Sequence, residues 1–385
     1  MDFDLNEEQA MIKATVKDFA EKEISPVARE NDRNERFPSD IVKKMGEMGF
    51  MGLNLPEEYG GGGADYMAYC IMLEELARVD YSVAVTVSSH ISLAGKSILN
   101  WGTDEQKKKY MPRLASGEIM GCLATTEPNV GSDVTSIETS AALQGNDWVL
   151  NGNKMWISNG GVSDVAIVIA QTDKSKAHRG LTAFLVERGM PGFSSVDIHN
   201  KFGTRSSNTA ELVLEDCHVP QENVLAPVGK GMSVALSAFD SARLGVAART
   251  VGVAQACIEA SVAYAQTRKQ FGKLLGNFQL VQELIADMTV ETEAARLLVY
   301  RAATMKDKTG EPATIQTSMA KYYASEIAMR AANNAIQIHG SYGYSDEYPV
   351  ERYFRDVRVS SILEGTSQMH KLIIGRSMTG LDAFV

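Results

Sequence analysis

A glutamate near the end of the chain has the surroundings expected of a catalytic base. Glu364 follows the apolar pair Ile362 and Leu363, precedes Gly365 and lies just before a predicted helix. Apolar neighbours exclude water, and a partly desolvated carboxyl group has a raised pKa, which suits it to accept a proton. An acidic residue at a helix start also stabilises the helix dipole. The residue types alone leave both roles open.

A polar loop in the middle of the chain is a candidate binding segment. Residues 124–133 read ATTEPNVGSD, so hydroxyl groups surround a glycine and a proline. Free backbone N–H groups and hydroxyls in such a loop suit an anion or a polar heterocycle. The alternative is a turn that leads into a strand.

A tryptophan beside polar residues gives a second candidate. Trp156 and Ser158 lie in the run MWISNGG at residues 155–161. A flat indole could cover a flat ligand ring while the serine donates a hydrogen bond. A core tryptophan on a strand is the alternative.

The C-terminal stretch from Gln337 to Gln368 is the third candidate. It contains the glycine-rich run QIHGSYGY at 337–344 and ends with LEGTSQ at 363–368, where a helix begins. Glycines permit close approach of the backbone to a ligand, and free N–H groups at a helix start can receive a phosphate or a carbonyl.

Several common catalytic motifs are missing. No GxGxxG, HExxH or GxSxG pattern occurs, and Gly95-Lys96-Ser97 lacks the first glycine of a P-loop because His90 occupies that position. The cysteines form no CxxC pair, so we expect reduced and buried thiols rather than a metal or redox site. They are Cys70, Cys122, Cys217 and Cys257.

Three regions of different periodicity must position these segments. Residues 1–120 read as helices, 121–230 as strands in an antiparallel sheet or barrel, and 231–385 again as helices. The sequence predicts an α+β fold that is mostly α. Predicted helices near 232–268, 277–309, 313–340 and 366–380 are long enough for a four-helix bundle. Asn151-Gly152 predicts a hairpin turn within 148–157.

Composition and charge narrow the classes of function. The 385 residues include 38 Lys plus Arg and 48 Asp plus Glu, a net charge of −10. An acidic chain lacks the basic face that general nucleic-acid binding needs. Apolar runs are too short to insert into a membrane. The first eight residues lack the basic and apolar regions of a signal peptide, so we expect a cytoplasmic protein.

Together the three candidate segments resemble the acyl-CoA dehydrogenase family over essentially the whole chain. One family signature is matched by residues 124–136, with TEPxxGSD intact, although Thr125 stands where the family usually has an aliphatic residue. A second signature is matched from Gln337 to Asp356. The segments Asn159-Gly160-Gly161 and RKQFG at 268–272 also lie where the family has them.

The resemblance implies an N-terminal helical domain, a central β-barrel, a C-terminal four-helix bundle, and a homotetramer built as a dimer of dimers with one FAD per subunit. Some FAD contacts are implied to come from a neighbouring subunit. The positions implied to hold FAD are Leu123, Thr125, Thr126, Gly131, Ser132, Trp156, Ser158, Arg268, Phe271, Gln279, Gln337, Gly340, Thr366 and Gln368. Those implied to contact acyl-CoA are Ser132, Asp240, Arg243, Leu363 and Gly365.

The resemblance also implies a reaction. Glu364 would take the α-proton of an acyl-CoA thioester while the β-hydride leaves to flavin N5, giving a trans-2-enoyl-CoA and passing electrons to an electron-transfer flavoprotein. Some members place the base immediately before the arginine that matches Arg243, but here that residue is Ala242. Members that act on dicarboxylic substrates often use an arginine in the second helical segment. Residues 80–96 contain none, so a glutaryl-type substrate is less favoured.

Three other interpretations stay open. An acyl-CoA oxidase is less favoured because those enzymes tend to be much longer. A catalytically silent relative is disfavoured by the intact glutamate and loops. A reductase working on an enoyl-CoA is equally compatible, because one site catalyses both directions.

Overall fold

The structure, a computed structural model, describes residues 4–310 and 313–383. An N-terminal helical region comes first, and Asn6 and Thr103 cap two of its helices through side-chain bonds to the backbone. A π-helical segment at Ser89–Gly95 continues one helix. The helices of this region are α1 (Glu7–Phe19), α2 (Ser25–Arg33), α3 (Ser39–Glu47), α4 (Tyr66–Val79), α5 (Tyr81–Ser88), α6 (Lys96–Trp101) and α7 (Asp104–Ala115).

A sheet occupies the middle of the chain. Its strands are β1 (Gly121–Ala124), β2 (Ser140–Gln144), β3 (Asp147–Ser158), β4 (Val165–Gln171), β5 (Leu181–Glu187), β6 (Phe193–Asp197), β7 (Thr209–Pro220) and β8 (Val224–Leu225). Their order is β6-β7-β3-β2-β4-β5-β8, and β1 pairs with β4 in parallel.

The predicted barrel is wrong, because this sheet is open. Among the described strands, β6 and β8 end the order and do not pair with each other. Strand β8 has only two residues, and β6 is largely exposed with serines and an aspartate along it. A short strand and a polar strand are common ways to protect a sheet edge from pairing.

The predicted hairpin within 148–157 is also wrong. Strand β3 runs through it, and its turn from β2 lies at Gly145 and Asn146 instead. At Gly152 the pairing of β3 with β7 shifts register, and the glycine adopts φ +145°. A Cβ atom there would lie 2.6 Å from Thr139 Oγ1. Glycine is needed for a bulge and a close approach rather than for a turn.

The C-terminal region is helical, as predicted. The small strands β9 (Lys269–Gln270) and β10 (Lys273–Leu274) form a hairpin between two of its long helices. Helix α10 packs against α8, α9 and α12. The helices are α8 (Gly231–Thr267), α9 (Gln279–Thr309), α10 (Thr314–His339), α11 (Val350–Val357) and α12 (Ser367–Thr379).

The helical regions share one core with one face of the sheet. Alternate residues of the buried strand β4 face opposite sides: Val165, Ile167 and Ile169 join the large cluster with the helices, whereas Ala166 and Val168 join the second cluster within the sheet. This alternation follows from the two-residue period of a strand. The sheet therefore packs one face on the helices and buries the other in its own interior.

Helix α8 also contacts the N-terminal helix α4. At Gly252 a Cβ atom would lie 2.2 Å from the Glu74 carbonyl oxygen, so only glycine allows this approach. Among the described helices, none combines the length and the apolarity that crossing a bilayer requires.

A buried ion pair fixes the loop that follows β1. Glu127 accepts hydrogen bonds from the backbone N–H groups of Glu138 and Thr139, and Lys154 Nζ donates to it at 2.7 Å. The two side chains are 2% and 0% exposed. Burial alone would raise the pKa of Glu127, but the Lys154 ammonium and these hydrogen bonds hold it below its usual value. Glu127 of the matched signature thus serves the fold.

We predict that Lys154→Met destabilises the protein strongly. The substitution leaves the Glu127 charge buried without its cation, which typically costs about 3–5 kcal/mol in the free energy of unfolding. Urea unfolding of the variant and the parent measures the change. The control is Lys154→Met combined with Glu127→Gln, which removes the uncompensated charge and should restore part of the loss. Equal instability of the single and double variants would contradict this explanation.

Candidate active site

A strained turn presents the Glu364 carboxylate. Glu364 adopts φ +54° and Gly365 adopts φ +94°, so two consecutive residues are left-handed before α12 begins. Thr366 then caps α12 by accepting from the Met369 N–H at 3.2 Å. A left-handed conformation costs a residue with a Cβ about 1–2 kcal/mol and is kept where the surroundings enforce it. The turn therefore fixes the direction of this side chain.

Two cations hold the carbonyl groups of this turn. Arg243 Nε, from α8, donates to the Glu364 carbonyl oxygen at 3.3 Å. Lys321 Nζ, from α10, donates to the Gly365 carbonyl oxygen at 2.6 Å. Lys321 is fully buried. Helices α8 and α10 thus clamp the turn from two sides and enforce its backbone conformation.

The Glu364 carboxylate is poised to exchange a proton. Its Oε2 atom is buried and has no hydrogen-bond partner among the described residues. Burial raises the pKa of Glu364, while the charges of Arg249, Arg243 and Lys321 lower it and leave a net increase. The raised pKa agrees with the desolvation that the apolar sequence context predicted. An unpartnered oxygen of raised basicity is what a general base needs.

The neighbouring groups respond to the same burial. Burial lowers the pKa of Lys321 to about 7, although the negative charge of Glu364 acts to raise it. Burial, with the charges of Lys321 and Arg243, lowers the pKa of His370 to about 3, so this ring is neutral. The His370 ring lies against the backbone of Glu364 and Gly365, but neither of its nitrogens makes a hydrogen bond of good geometry within the part of the chain that the structure describes. The site therefore contains unsatisfied polar atoms besides the Glu364 oxygen.

The matched loop after β1 lies at the sheet. Leu123 and Thr125 are buried, and Thr125 Oγ1 has no partner among the described residues. The Thr126 carbonyl accepts from the Met155 N–H at 2.8 Å, which ties the loop to β3. Gly131 and Ser132 are exposed, and a Cβ atom on Gly131 would meet nothing within 4 Å. The loop thus offers open backbone beside a buried hydroxyl.

Trp156 lies at the surface and not in the core. A register shift between β3 and β7 covers residues 154–157, and Trp156 adopts φ +63° within it. The bulge turns the indole outward, so that Trp156 is 58% exposed, while Ser158 is half-buried two residues later. Bulges often re-aim a side chain beside a binding site. A large exposed ring here is available to a ligand or a partner.

The RKQFG segment forms the β9–β10 hairpin. Phe271, at its tip, adopts φ +50° and is 93% exposed. The Arg268 guanidinium lies 5.6 Å from the centre of the Tyr342 ring, which brings this hairpin close to the segment after α10. Gln337 and Gly340 are exposed at that end of α10.

The predicted site residues therefore fall into three groups: the Glu364 turn, the loop and bulge at the sheet, and the hairpin with the end of α10. Thr366 and Gln368 belong to the first group, and Gln279 begins α9 beside the third. Asp240, predicted to face CoA, is buried and pairs with Lys306 at 2.9 Å. Its contact with CoA stays a prediction.

Sequence reasoning missed three residues around Glu364: Arg249, Lys321 and His370. The first two are single cations within runs of small and apolar residues, VAARTV in α8 and MAKYYA in α10. A charge on the apolar face of a helix is the signal that could have indicated them, because an isolated charge is rarely buried without a function or a partner.

Comparison with known proteins identifies the class. The fold matches the structure of butyryl-CoA dehydrogenase from Megasphaera elsdenii with a TM-score of 0.96 and 40% identity, covering 98% of this chain and 100% of that one. A chain from work on the electron-transferring flavoprotein of Acidaminococcus fermentans matches with a TM-score of 0.97 and 43% identity, covering 98% of this chain and 100% of that one. A glutaryl-CoA dehydrogenase from Mycobacterium smegmatis in complex with FADH2 matches with a TM-score of 0.94 and 36% identity, covering 99% of this chain and 97% of that one.

The sequence comparisons agree. Models of the acyl-CoA dehydrogenase N-terminal, middle and C-terminal domains match residues 6–118, 122–217 and 229–379. The short-chain specific acyl-CoA dehydrogenase of Clostridium acetobutylicum is 44% identical, covering 97% of this chain and 98% of the relative. Acryloyl-CoA reductase (NADH) of Anaerotignum propionicum is also 44% identical, covering 98% of this chain and 96% of the relative. The chain belongs to the acyl-CoA dehydrogenase family, whose members are FAD-dependent.

We predict that Lys321→Met moves the pH dependence of flavin reduction by substrate to higher pH. A carboxylate accepts a proton only when it is ionised, so a rate that depends on Glu364 as the base would be lost as pH falls through its pKa. Lys321 is charged below about pH 7 and lowers that pKa. Its removal should raise the midpoint of the acid limb by about one unit. Anaerobic stopped-flow measurements across pH provide the test.

Lys321→Arg retains a positive charge and is the matched control, for which a smaller shift is expected. An unmoved midpoint in Lys321→Met would show that Lys321 does not act on the Glu364 charge.

Proposed function

We propose that this protein catalyses the FAD-dependent α,β-dehydrogenation of an acyl-CoA thioester to a trans-2-enoyl-CoA, with Glu364 as the base. The observation that carries the proposal is the buried carboxylate with an unpartnered oxygen, held on a left-handed turn. Membership of the acyl-CoA dehydrogenase family supports the substrate class and the reaction type. Ala242, at the alternative base position, has no group that could accept a proton.

The turn supplies more than a base. A thioester α-hydrogen is weakly acidic, so the enolate that forms as it leaves needs stabilisation. No described residue accepts the Glu364 backbone N–H, and this donor is proposed to meet the thioester oxygen. Loss of one such donor typically adds about 3–4 kcal/mol to a barrier. Arg243 and Lys321 keep the N–H and the carboxylate on one rigid turn.

The electrostatics suit both protonation states of Glu364. Before reaction, the nearby cations stabilise the carboxylate, so that it is available as a base. After proton transfer, the neutral acid is favoured by burial. These opposing effects keep the basicity of Glu364 between that of an exposed carboxylate and that of an isolated buried one.

The residues at the sheet fit the flavin. The exposed indole of Trp156 can cover a flat ring, and the buried Thr125 hydroxyl lacks a partner that a ring heteroatom could supply. We propose that Leu123, Thr126, Gly131, Ser132 and Ser158 complete this side. Thr366 and Gln368 would contact FAD near the base, and Arg268, Phe271, Gln279, Gln337 and Gly340 would contact FAD of a neighbouring subunit. Bound FAD supplies the acceptor for the hydride that leaves the β-carbon.

Further contacts with the substrate are assigned to the turn and to α8. We propose that Leu363 and Gly365 line the acyl thioester, with Ser132 opposite, and that Asp240 and Arg243 lie toward CoA. We also propose the domain limits 1–120, 121–230 and 231–385.

The partners and the location complete the proposal. Exposed apolar residues along α9, Leu280, Val290 and Leu297, support self-association, which we propose gives a homotetramer, a dimer of dimers. The similarity to a chain from the Acidaminococcus fermentans work supports an electron-transfer flavoprotein as the electron acceptor. We propose a cytoplasmic location.

Reduction of an enoyl-CoA is a second candidate. The 44% identity to acryloyl-CoA reductase favours it. The same turn would serve, with the protonated Glu364 returning the proton to the α-carbon.

We predict that Glu364→Gln retains FAD and binds acyl-CoA but reduces its flavin at least about 1,000-fold more slowly, because an amide has nearly the same shape and cannot act as a base. Anaerobic bleaching of the flavin by a panel of acyl-CoA thioesters provides the measurement, with FAD content as the control. Near-normal reduction in this variant would refute the assignment of Glu364.

We also predict that Arg268→Ala weakens FAD retention. Arg268 lies over the Tyr342 ring and orients the exposed hairpin, so its loss should free the hairpin and remove a cation from the proposed shared FAD site. The absorbance ratio of flavin to protein after gel filtration measures retention. Arg330→Ala, an exposed arginine paired with Glu291 on α9, is the matched control. Equal flavin content in both variants would contradict the assignment.

A further inference from the structure

Arg249 of α8 is a buried guanidinium without an ion-pair partner. It is only 4% exposed, its Nε donates to the Tyr81 hydroxyl at 3.1 Å, and its Nη1 donates to the Ser88 hydroxyl. Its guanidinium also lies over the Tyr81 ring, 5.3 Å from the centroid. Both hydrogen-bond partners are neutral, and no carboxylate of the described residues lies within 4 Å of it.

Arg249 faces the same site as the base. It lies six positions after Arg243, about 9 Å along α8, and Arg243 holds the Glu364 carbonyl. Of the cations that lower the pKa of Glu364, Arg249 has the largest effect. Helix α5, which carries Tyr81 and Ser88, closes the other side. Arg249 therefore lies between the catalytic carboxylate and α5.

One more hydroxyl group, that of Tyr69, lies near this point. A Cβ atom on Gly245, which lies on α8 between Arg243 and Arg249, would lie 2.8 Å from the Tyr69 hydroxyl oxygen and 3.5 Å from Ser88 Cβ. The Tyr69 hydroxyl is buried within reach of Ser92 but makes no hydrogen bond of good geometry among the described residues. A buried surface that carries a guanidinium and hydroxyls favours a polar ligand group over a hydrocarbon one, because buried polar groups without partners are costly.

More cations than unpaired anions surround Glu364. Arg243, Arg249 and Lys321 all act on Glu364, whereas the nearby Asp240 is already paired with Lys306. Glu326 acts on Lys321 more weakly than Glu364 does. When Glu364 takes up a proton, all three cations lose a neighbouring negative charge, and Asp240 remains near Arg243. A buried cation without an anion is strongly unfavourable, so a second negative charge would stabilise this site.

We propose that Arg249, with the hydroxyls of Tyr81 and Ser88, binds the distal carboxylate of a dicarboxylic acyl-CoA thioester. The planar guanidinium can donate two parallel hydrogen bonds to a carboxylate. The distal carboxylate is bound and is not changed chemically, so the dehydrogenation is the reaction proposed above, on which this inference rests.

This inference changes what the sequence indicated about substrate. Residues 80–96 contain no arginine, and a dicarboxylic substrate was less favoured for that reason. In the structure, helix α5, which lies within this segment, supplies the hydroxyls of Tyr81 and Ser88. The arginine that they contact is Arg249 of α8, more than 150 residues later in the chain.

The test compares thioesters of equal carbon number with the purified holoenzyme. Anaerobic flavin reduction is measured with glutaryl-CoA against pentanoyl-CoA, succinyl-CoA against butyryl-CoA, and adipyl-CoA against hexanoyl-CoA. We expect a higher kcat/KM for the dicarboxylic member of at least one pair. In Arg249→Met the preference within that pair should fall about 100-fold, because a buried charge pair is lost.

Arg249→Lys should retain part of the preference, since it keeps the charge but not the planar fork. Arg330→Met, exposed on α10, is the control that should leave the preference unchanged. FAD content and thermal unfolding establish that each variant is folded. If Arg249→Met does not fold, the preference of the unmodified protein decides the question.

Two outcomes would overturn the inference while leaving the proposed function standing. One is that the monocarboxylic thioester is reduced at least as efficiently in every pair. The other is that Arg249→Met slows both members of a pair equally and moves only the pH dependence, which would mean that Arg249 acts on Glu364 alone. Failure of every thioester to bleach the flavin would instead defeat the proposed function itself.

Discussion

A carboxylate must be kept from water and still be ionised, and this conflict organises the site. Burial raises the pKa of Glu364, and the cations of α8 and α10 limit the rise. Two of these cations also bind the carbonyls of the left-handed turn, so one set of contacts fixes both the direction and the basicity of the side chain. The turn would be strained in isolation, because Glu364 has a Cβ atom and a positive φ.

The rest of the fold supports this arrangement. Glycine at position 252 lets α4 approach α8, and the close packing brings the N-terminal helices against the helix that carries Arg243 and Arg249. The sheet carries a second group of predicted site residues on the loop after β1, and their contact with FAD stays a prediction. That loop depends on the buried pair of Glu127 and Lys154. A residue of the matched motif can thus serve the fold, while contact of its neighbours Thr125 and Gly131 with FAD stays a prediction.

Some elements could be predicted from local pattern and others could not. The long C-terminal helices begin and end within two residues of their predicted limits, because glycine and proline in the connecting segments, such as Gly310-Glu311-Pro312, mark where a helix ends. The prediction of a hairpin turn at Asn151-Gly152 was wrong. Gly152 is required for its close contact with Thr139, and the sequence alone does not distinguish such a glycine from one in a turn. The prediction of a barrel was wrong because a sheet closes only if its two edge strands pair, and the pattern of residues within each strand does not specify that pairing.

The sequence by itself determined the family, the mostly helical class and the candidate base, because the spaced signatures and the apolar context of Glu364 are local features of the chain. Only the tertiary structure decided that Trp156 is exposed, that Lys321 binds the carbonyl of Gly365, and that Arg249 is buried beside α5 with no counter-ion among the described residues. These facts depend on residues far apart in the chain meeting in space. Burial, unlike residue type, is a property of the packed molecule.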